Sequence, residues 1–231
     1  MVRYNWIESG NRQLDLVDAG DVVIINDPRY RETHVYGNVL IEPDGAGNRQ
    51  ITHYGGDSSS TANFRKGTLY FYNNTVVSTR TDRTTLFRLS TPEERCDSRN
   101  NIFYVSAAGS TVSMLDADGT LELSHNWIKP GWVRSFGEFR GAIADDGTMV
   151  AGTSPGFLDE PAQDYRLAAR SPAIDAGGLL HPGVMPVGDV SWQYLKHQLG
   201  VPRPYDGRMD IGAFEYPFVG RLSRSRAGAP R

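Results

Sequence analysis

Phe71-Tyr72-Asn73-Asn74-Thr75-Val76 sets an asparagine pair between two short apolar runs, and the arrangement recurs along the chain. It returns as Tyr4-Asn5-Trp6-Ile7, Gly37-Asn38-Val39-Leu40, Asn100-Asn101-Ile102-Phe103 and His125-Asn126-Trp127-Ile128. Asn5, Asn38, Asn74, Asn101 and Asn126 follow one another at 33, 36, 27 and 25 residues. Recurrence at this period is the mark of a repeat architecture, one unit per coil with loops of variable length.

The flanks repeat as well. Three residues before each asparagine stand Val2, Val35, Phe71, Ser98 and Leu123, and two residues after it Ile7, Leu40, Val76, Phe103 and Ile128. Two residues before it stand Arg3, Tyr36, Tyr72, Arg99 and Ser124, which read as outward-facing. This is the period-2 alternation of strands. A second strand is expected in each coil at Leu14-Asp15-Leu16, Ile51-Thr52-His53, Phe87-Arg88-Leu89 and Val112-Ser113-Met114. An amide at a bend satisfies backbone groups and tolerates left-handed angles. Stacked about 4.8 Å apart, such amides bond to one another as a ladder.

The fold class expected is therefore all-β: a right-handed parallel β-helix, or solenoid, of about five coils over residues 1–150. The alternation fades after residue 130. Residues 151–216 are turn-rich and read as an irregular C-terminal capping segment packed on the solenoid. One window, Asp189 to Leu199, has helical spacing. Residues 217–231, with four arginines from Arg221 onward, read as a disordered basic tail.

The coils resemble those of right-handed parallel β-helix proteins, the pectate-lyase-like superfamily. Ser171-Pro172-Ala173-Ile174-Asp175-Ala176-Gly177, with Asp210-Ile211-Gly212-Ala213-Phe214-Glu215, resembles the C-terminal segment that often closes bacterial secreted members. The resemblance implies export and contact with a polysaccharide. It supplies no catalytic signature: the calcium-binding acids and catalytic arginine of pectate lyases have no evident counterpart.

Bulk properties narrow the classes. The 231 residues carry a net charge of −3, which gives no footing for nucleic acid or an anionic membrane surface. No apolar run approaches a membrane span. Cys96 is alone, so no internal disulfide or cysteine metal cluster forms. Met1 leads straight into a strand pattern without a signal peptide. This reads as the C-terminal part of a longer solenoid at the cell surface or outside the cell, a complete cytosolic chain being the alternative.

The outward row Arg3, Tyr36, Tyr72 and Arg99 is the candidate substrate-binding surface. It should span about 14 Å across four coils, with aromatic faces for sugar rings and guanidinium forks for uronate carboxylates. The neighbouring row reads His34, Tyr70, Asp97 and Glu122. Arg99, Tyr72, His34 and Tyr70 are the catalytic candidates, for a lyase or hydrolase acting on an acidic polysaccharide. The competing reading is that aromatics merely favour strands, in a solenoid that binds glycan or serves as a cell-surface spacer. No metal site is assigned. Asp15, Asp18 and Asp21 are spaced closely enough for Ca²⁺, though turn acids are commonly just solvated. His53 and Tyr54, before Gly55-Gly56-Asp57, form a candidate proton-transfer pair. His53 falls on the inward parity, which favours a satisfied core histidine. Asp175 and Asp210 are explained by capping hydrogen bonds.

Overall fold

The computed structural model describes residues 1–8, 10–109, 111–185 and 188–217. The expected basic tail from residue 218 onward lies outside them. Up to Ala151 consecutive strands belong to different sheets. Each of the first eleven strands pairs with the strand three places on, and the thirteenth and fourteenth pair two places on. The first sheet joins β1 (Val2–Arg3), β4 (Glu32–Tyr36), β7 (Gly67–Tyr72), β10 (Glu94–Arg99), β13 (Thr120–Ser124) and β15 (Ala142–Asp145). The second joins β2 (Trp6–Glu8), β5 (Val39–Glu42), β8 (Thr75–Ser78), β11 (Ile102–Val105), β14 (Trp127–Ile128) and β16 (Val150–Ala151). The third joins β3 (Leu14–Leu16), β6 (Gln50–Tyr54), β9 (Arg83–Leu89) and β12 (Thr111–Ala117). Every pairing within these sheets is parallel. The all-β class therefore stands. Parallel pairing runs past residue 130 to Ala151, with bridges at Val133 and Phe139 prolonging the third sheet. In the fourth unit the third-sheet register falls later than expected: Leu115, not Val112, lies opposite Phe87.

The asparagines occupy the corner between the first and second sheets. Asn38 Nδ2 donates to Asn74 Oδ1 at 2.9 Å, Asn74 to Asn101 at 3.0 Å and Asn101 to Asn126 at 2.9 Å. Each acceptor also takes the backbone N–H of the preceding asparagine. Asn38, Asn74, Asn101 and Asn126 are fully buried, where a missing partner would be costly. The residue just before each one has positive φ: Tyr4 55°, Gly37 64°, Asn73 50°, Asn100 55° and His125 50°. That left-handed residue turns the chain from one sheet into the next. In the unit after Asn126 the rule lapses: Met149 stands opposite Asn126, and its sulfur receives the last amide.

Val35, Phe71, Leu123, Leu40, Val76, Phe103 and Ile128 fill the interior between the sheets with Phe87, Leu89 and Leu115. Phe71 meets Phe87 edge-on and stacks on Phe103. The outer face of the second sheet is apolar too. Val39, Ile41, Val77, Ile102, Tyr104 and Trp127 lie there under Tyr165, Leu167, Ile211 and Phe214. Those covering residues come from the C-terminal segment, which carries the hairpin β17 (Phe157–Asp159) and β18 (Asp164–Leu167). It is tied down along the corner row: Asn73 donates to the Asp210 carbonyl, Asn100 exchanges two hydrogen bonds with Gly178, and Ala213 N–H donates to Thr75.

The helix expected over 189–199 is not there. Trp192–Leu195 (β19) and Leu199–Pro202 (β20) form an antiparallel hairpin. Val190 and Tyr194 are buried, but Leu195 and Leu199 stand in solvent, so the helical spacing defines no buried stripe. In the hairpin Tyr194 and His197 pack on Trp6. The only helical turn of α type among the described residues is α1 (Val22–Ile25), capped by Asp21.

Candidate functional site

The rows read from the sequence are real as registers. Arg3, Tyr36, Tyr72, Arg99 and Ser124 lie side by side across the first sheet, as do His34, Tyr70, Asp97 and Glu122. The Tyr36 and Tyr72 rings stack at 4.8 Å. The face they form is covered, however. Leu180, Val184 and Val190 pack on Tyr36, Tyr70 and Tyr72. The Tyr72 hydroxyl donates to the Gly188 carbonyl at 2.8 Å, and the Tyr70 ring lies against His181. Tyr36 and Tyr72 are 0% and 2% exposed, so neither offers an open face to a ligand. Burial pushes the Tyr72 and Tyr70 hydroxyls above their ordinary values and lowers the His34 imidazole. Their expected outward exposure gives way to the segment folded over them.

The two arginines of the row differ. Arg3 is exposed at the edge and donates to the Tyr36 hydroxyl at 3.1 Å. Arg99 grips Asp97 with Nε at 2.7 Å and Nη2 at 2.8 Å, which spends its fork on an internal carboxylate.

Arg99 also marks the start of an open cleft. The cleft measures about 1190 Å³ and lies between the last units of the first sheet and the C-terminal segment. Arg99, Ser124, His125 and Asp146 line the sheet side, and Asp175, Leu179, Met185, Asp189, Tyr205 and Arg208 the other. Leu179 and Tyr205 are 90% and 70% exposed. Polar groups and apolar faces thus converge on one concavity.

His125 holds the centre of the sheet side. Its Nδ1 lies 2.8 Å from Ser124 Oγ and 3.1 Å from Thr148 Oγ1. Thr148 in turn donates its hydroxyl and its N–H to Asp146. Partial burial raises the Asp146 carboxyl, but the bonds from Thr148 and Ser124 and the nearby His125 outweigh it and hold it below its ordinary value. Gly178 lies flat on the imidazole: a Cβ there would sit 2.5 Å from His125 Nδ1. Sequence reading passed over His125. The signal lay in the corner row, where a histidine takes the left-handed position that Tyr4, Gly37, Asn73 and Asn100 also hold.

Other expectations are resolved by their partners. Asp15 pairs with Arg12, Asp18 accepts the Asp57 N–H, and Asp21 caps α1, so the three do not converge on a calcium ion. Tyr54 is buried in the interior and donates to the Lys66 carbonyl, which separates it from His53. His53 lies in one row with Asp15 and Arg88, whose side chains reach solvent, not on the inward parity. It is itself fully buried, and its ring is partnered by Arg12, Asp15 and Ser90. Asp210 accepts the Asp175 and Tyr216 N–H groups, a structural task. Beside it, Arg203 and Glu215 form a buried pair at 2.6 Å. The chain matches no protein-family model, no curated protein and no solved structure.

Proposed function

We propose that the chain is a right-handed parallel β-helix, working at the cell surface or outside the cell, that binds a polysaccharide in the Arg99–His125–Asp146 cleft. Support for the fold comes from three parallel sheets entered in strict rotation, because parallel crossovers are right-handed in about 98% of cases. The observation that carries the function is the cleft, whose hydroxyl, carboxylate and guanidinium groups sit beside the exposed Tyr205 and Leu179. Planar acids and guanidinium groups bond vicinal hydroxyls, and apolar faces take the flat sides of sugar rings.

Charge favours a neutral glycan over a uronate polymer. Asp146, Asp175 and Asp189 face Arg208 and an Arg99 already paired with Asp97. A second reading, hydrolysis, rests on Asp146, Asp175 and His125 lining one cleft, since glycoside hydrolysis uses a pair of carboxyl groups. The test is a panel of neutral and acidic polysaccharides scored for binding, with reducing ends and absorbance at 235 nm reporting hydrolysis and lyase cleavage, with and without Ca²⁺. Neutral-glycan binding that weakens in Asp146→Asn supports the proposal. Binding confined to acidic polymers sinks the charge argument, and no binding across the panel sinks the reading.

A further inference from the structure

A separate cluster lies on the outer side of the third sheet, away from the cleft. His53 of β6 stands beside Asp15 of β3, and Asp57 follows from the loop after β6. His53 Nδ1 is 3.2 Å from Asp15 Oδ1 and 3.4 Å from Asp57 Oδ2. All three candidate ligand atoms lie within 4.8 Å of one another. We propose that His53, Asp15 and Asp57 form a site for a zinc-class divalent cation, with water completing the shell.

Two independent observations carry this. The first is the state of the imidazole. Ser90 Oγ donates to the Gly56 carbonyl at 2.9 Å and accepts the Gly56 N–H at 3.1 Å. Its one proton is spent, so at 2.8 Å it accepts from His53 Nε2–H. That fixes the tautomer and turns the Nδ1 lone pair towards the carboxylates, an arrangement typical of a metal-ligating histidine held by an oxygen behind it. A lone pair facing two carboxylates calls for a positive charge, which the Arg12 guanidinium supplies in this structure and a metal ion would take over. The same bonds argue against Ser90 as a nucleophile, because its proton is directed away from the imidazole.

The second observation is spacing. In a tetrahedron with zinc–ligand bonds of about 2.0–2.1 Å, neighbouring ligand atoms are roughly 3.3–3.4 Å apart. The two His53–carboxylate distances lie close to that edge, and the one to Asp57 is long for a hydrogen bond. Arg12 Nη1 supplies positive charge here, 2.6 Å from Asp15 and 3.1 Å from His53 Nδ1, and Arg88 Nη2 lies 3.7 Å from Asp57. The Arg12 Nε is buried without a partner, while its Nη2 holds Gln50 at 2.7 Å, a point about which the side chain can swing away.

The experiment is isothermal titration of the tag-free chain with zinc chloride, with circular dichroism as the fold control. Expected are one zinc per chain, binding at least about tenfold weaker in Asp57→Asn and in Ser90→Ala, and tighter binding in Arg12→Gln. Asp57 is half exposed, so its variant tests ligation without disturbing the core. Absence of one-to-one binding in both the natural chain and Arg12→Gln overturns the proposal. So does binding that survives both Asp15→Asn and Asp57→Asn.

Discussion

The Tyr72 hydroxyl donates to the Gly188 carbonyl across 116 residues of sequence, at 2.8 Å and out of reach of solvent. This bond closes the first sheet's aromatic row under the C-terminal segment. Tyr36 and Tyr72 are thereby packing residues, and ligand chemistry moves to the open cleft beside them.

Tyr72→Phe keeps the ring and removes the donor. The buried Gly188 carbonyl then loses its partner, at a cost of about 1–3 kcal/mol. Hydrogen exchange should show the loss locally, with faster exchange at 180–185 and 188–190 and little change in the ladder. Uniform loosening of all three sheets would contradict a local clasp. Gly188→Ala should act more severely, since its Cβ would sit 2.3 Å from the Tyr72 hydroxyl.

The asparagine ladder should be unequal along its length. Asn101 donates to the Phe71 carbonyl and to Asn126, and accepts from both the N–H and the amide of Asn74. Asn101→Ala strands several buried groups at once and should cost about 3 kcal/mol or more. Asn5 is half-buried at the end and accepts from no other asparagine among the described residues, so Asn5→Ala should cost about 1 kcal/mol. Urea melts of the two variants decide this. Equal losses would mean that the amides act as separate corner caps.

These outcomes separate what the residues announce from what they conceal. The ladder, its register and the buried Phe71, Val76 and Phe103 were legible because side-chain period and corner chemistry are local. Concealment of Tyr36 and Tyr72 was not, because Leu180, Val184 and Val190 come from an irregular stretch whose docking no spacing rule encodes. One clue stood in plain sight. Val39-Leu40-Ile41 is apolar at consecutive positions, as a strand buried on both faces requires, and the second sheet is covered inside and out. The cleft depended on contacts between the corner row and residues 175–209, which join only in three dimensions.

Glu42 predicts a pH dependence. It is fully buried, bonded to Gln13 and Arg80, and burial pushes its carboxyl from 4.5 to about 7 despite those partners. The folded state therefore keeps a proton that the unfolded chain releases above 4.5. Stability falls as pH rises from about 4.5 to about 7 and is flat in this respect beyond, by on the order of 3 kcal/mol at most. Denaturant melts of the natural chain and Glu42→Gln across pH 4.5–8 provide the check. The curves should converge at low pH on a constant offset and separate towards pH 7, and parallel curves would show that Arg80 keeps the carboxylate ionised throughout.

His125→Asn sets stability against function at one residue. The position needs a left-handed backbone, φ 50°, and asparagine already holds the same corner at Asn73 and Asn100. Asparagine tolerates that conformation well, so the variant should fold with stability within about 0.5 kcal/mol of the natural chain. What it loses is an imidazole linked through Thr148 to Asp146 at the wall of the cleft. Glycan binding, and any turnover, should then fall by about five- to tenfold while the melting curve stays in place, because a hydrogen bond to a bound group is worth roughly 1–1.5 kcal/mol. Unchanged binding in a variant of unchanged stability would remove His125 from the site and leave the corner row a purely structural feature.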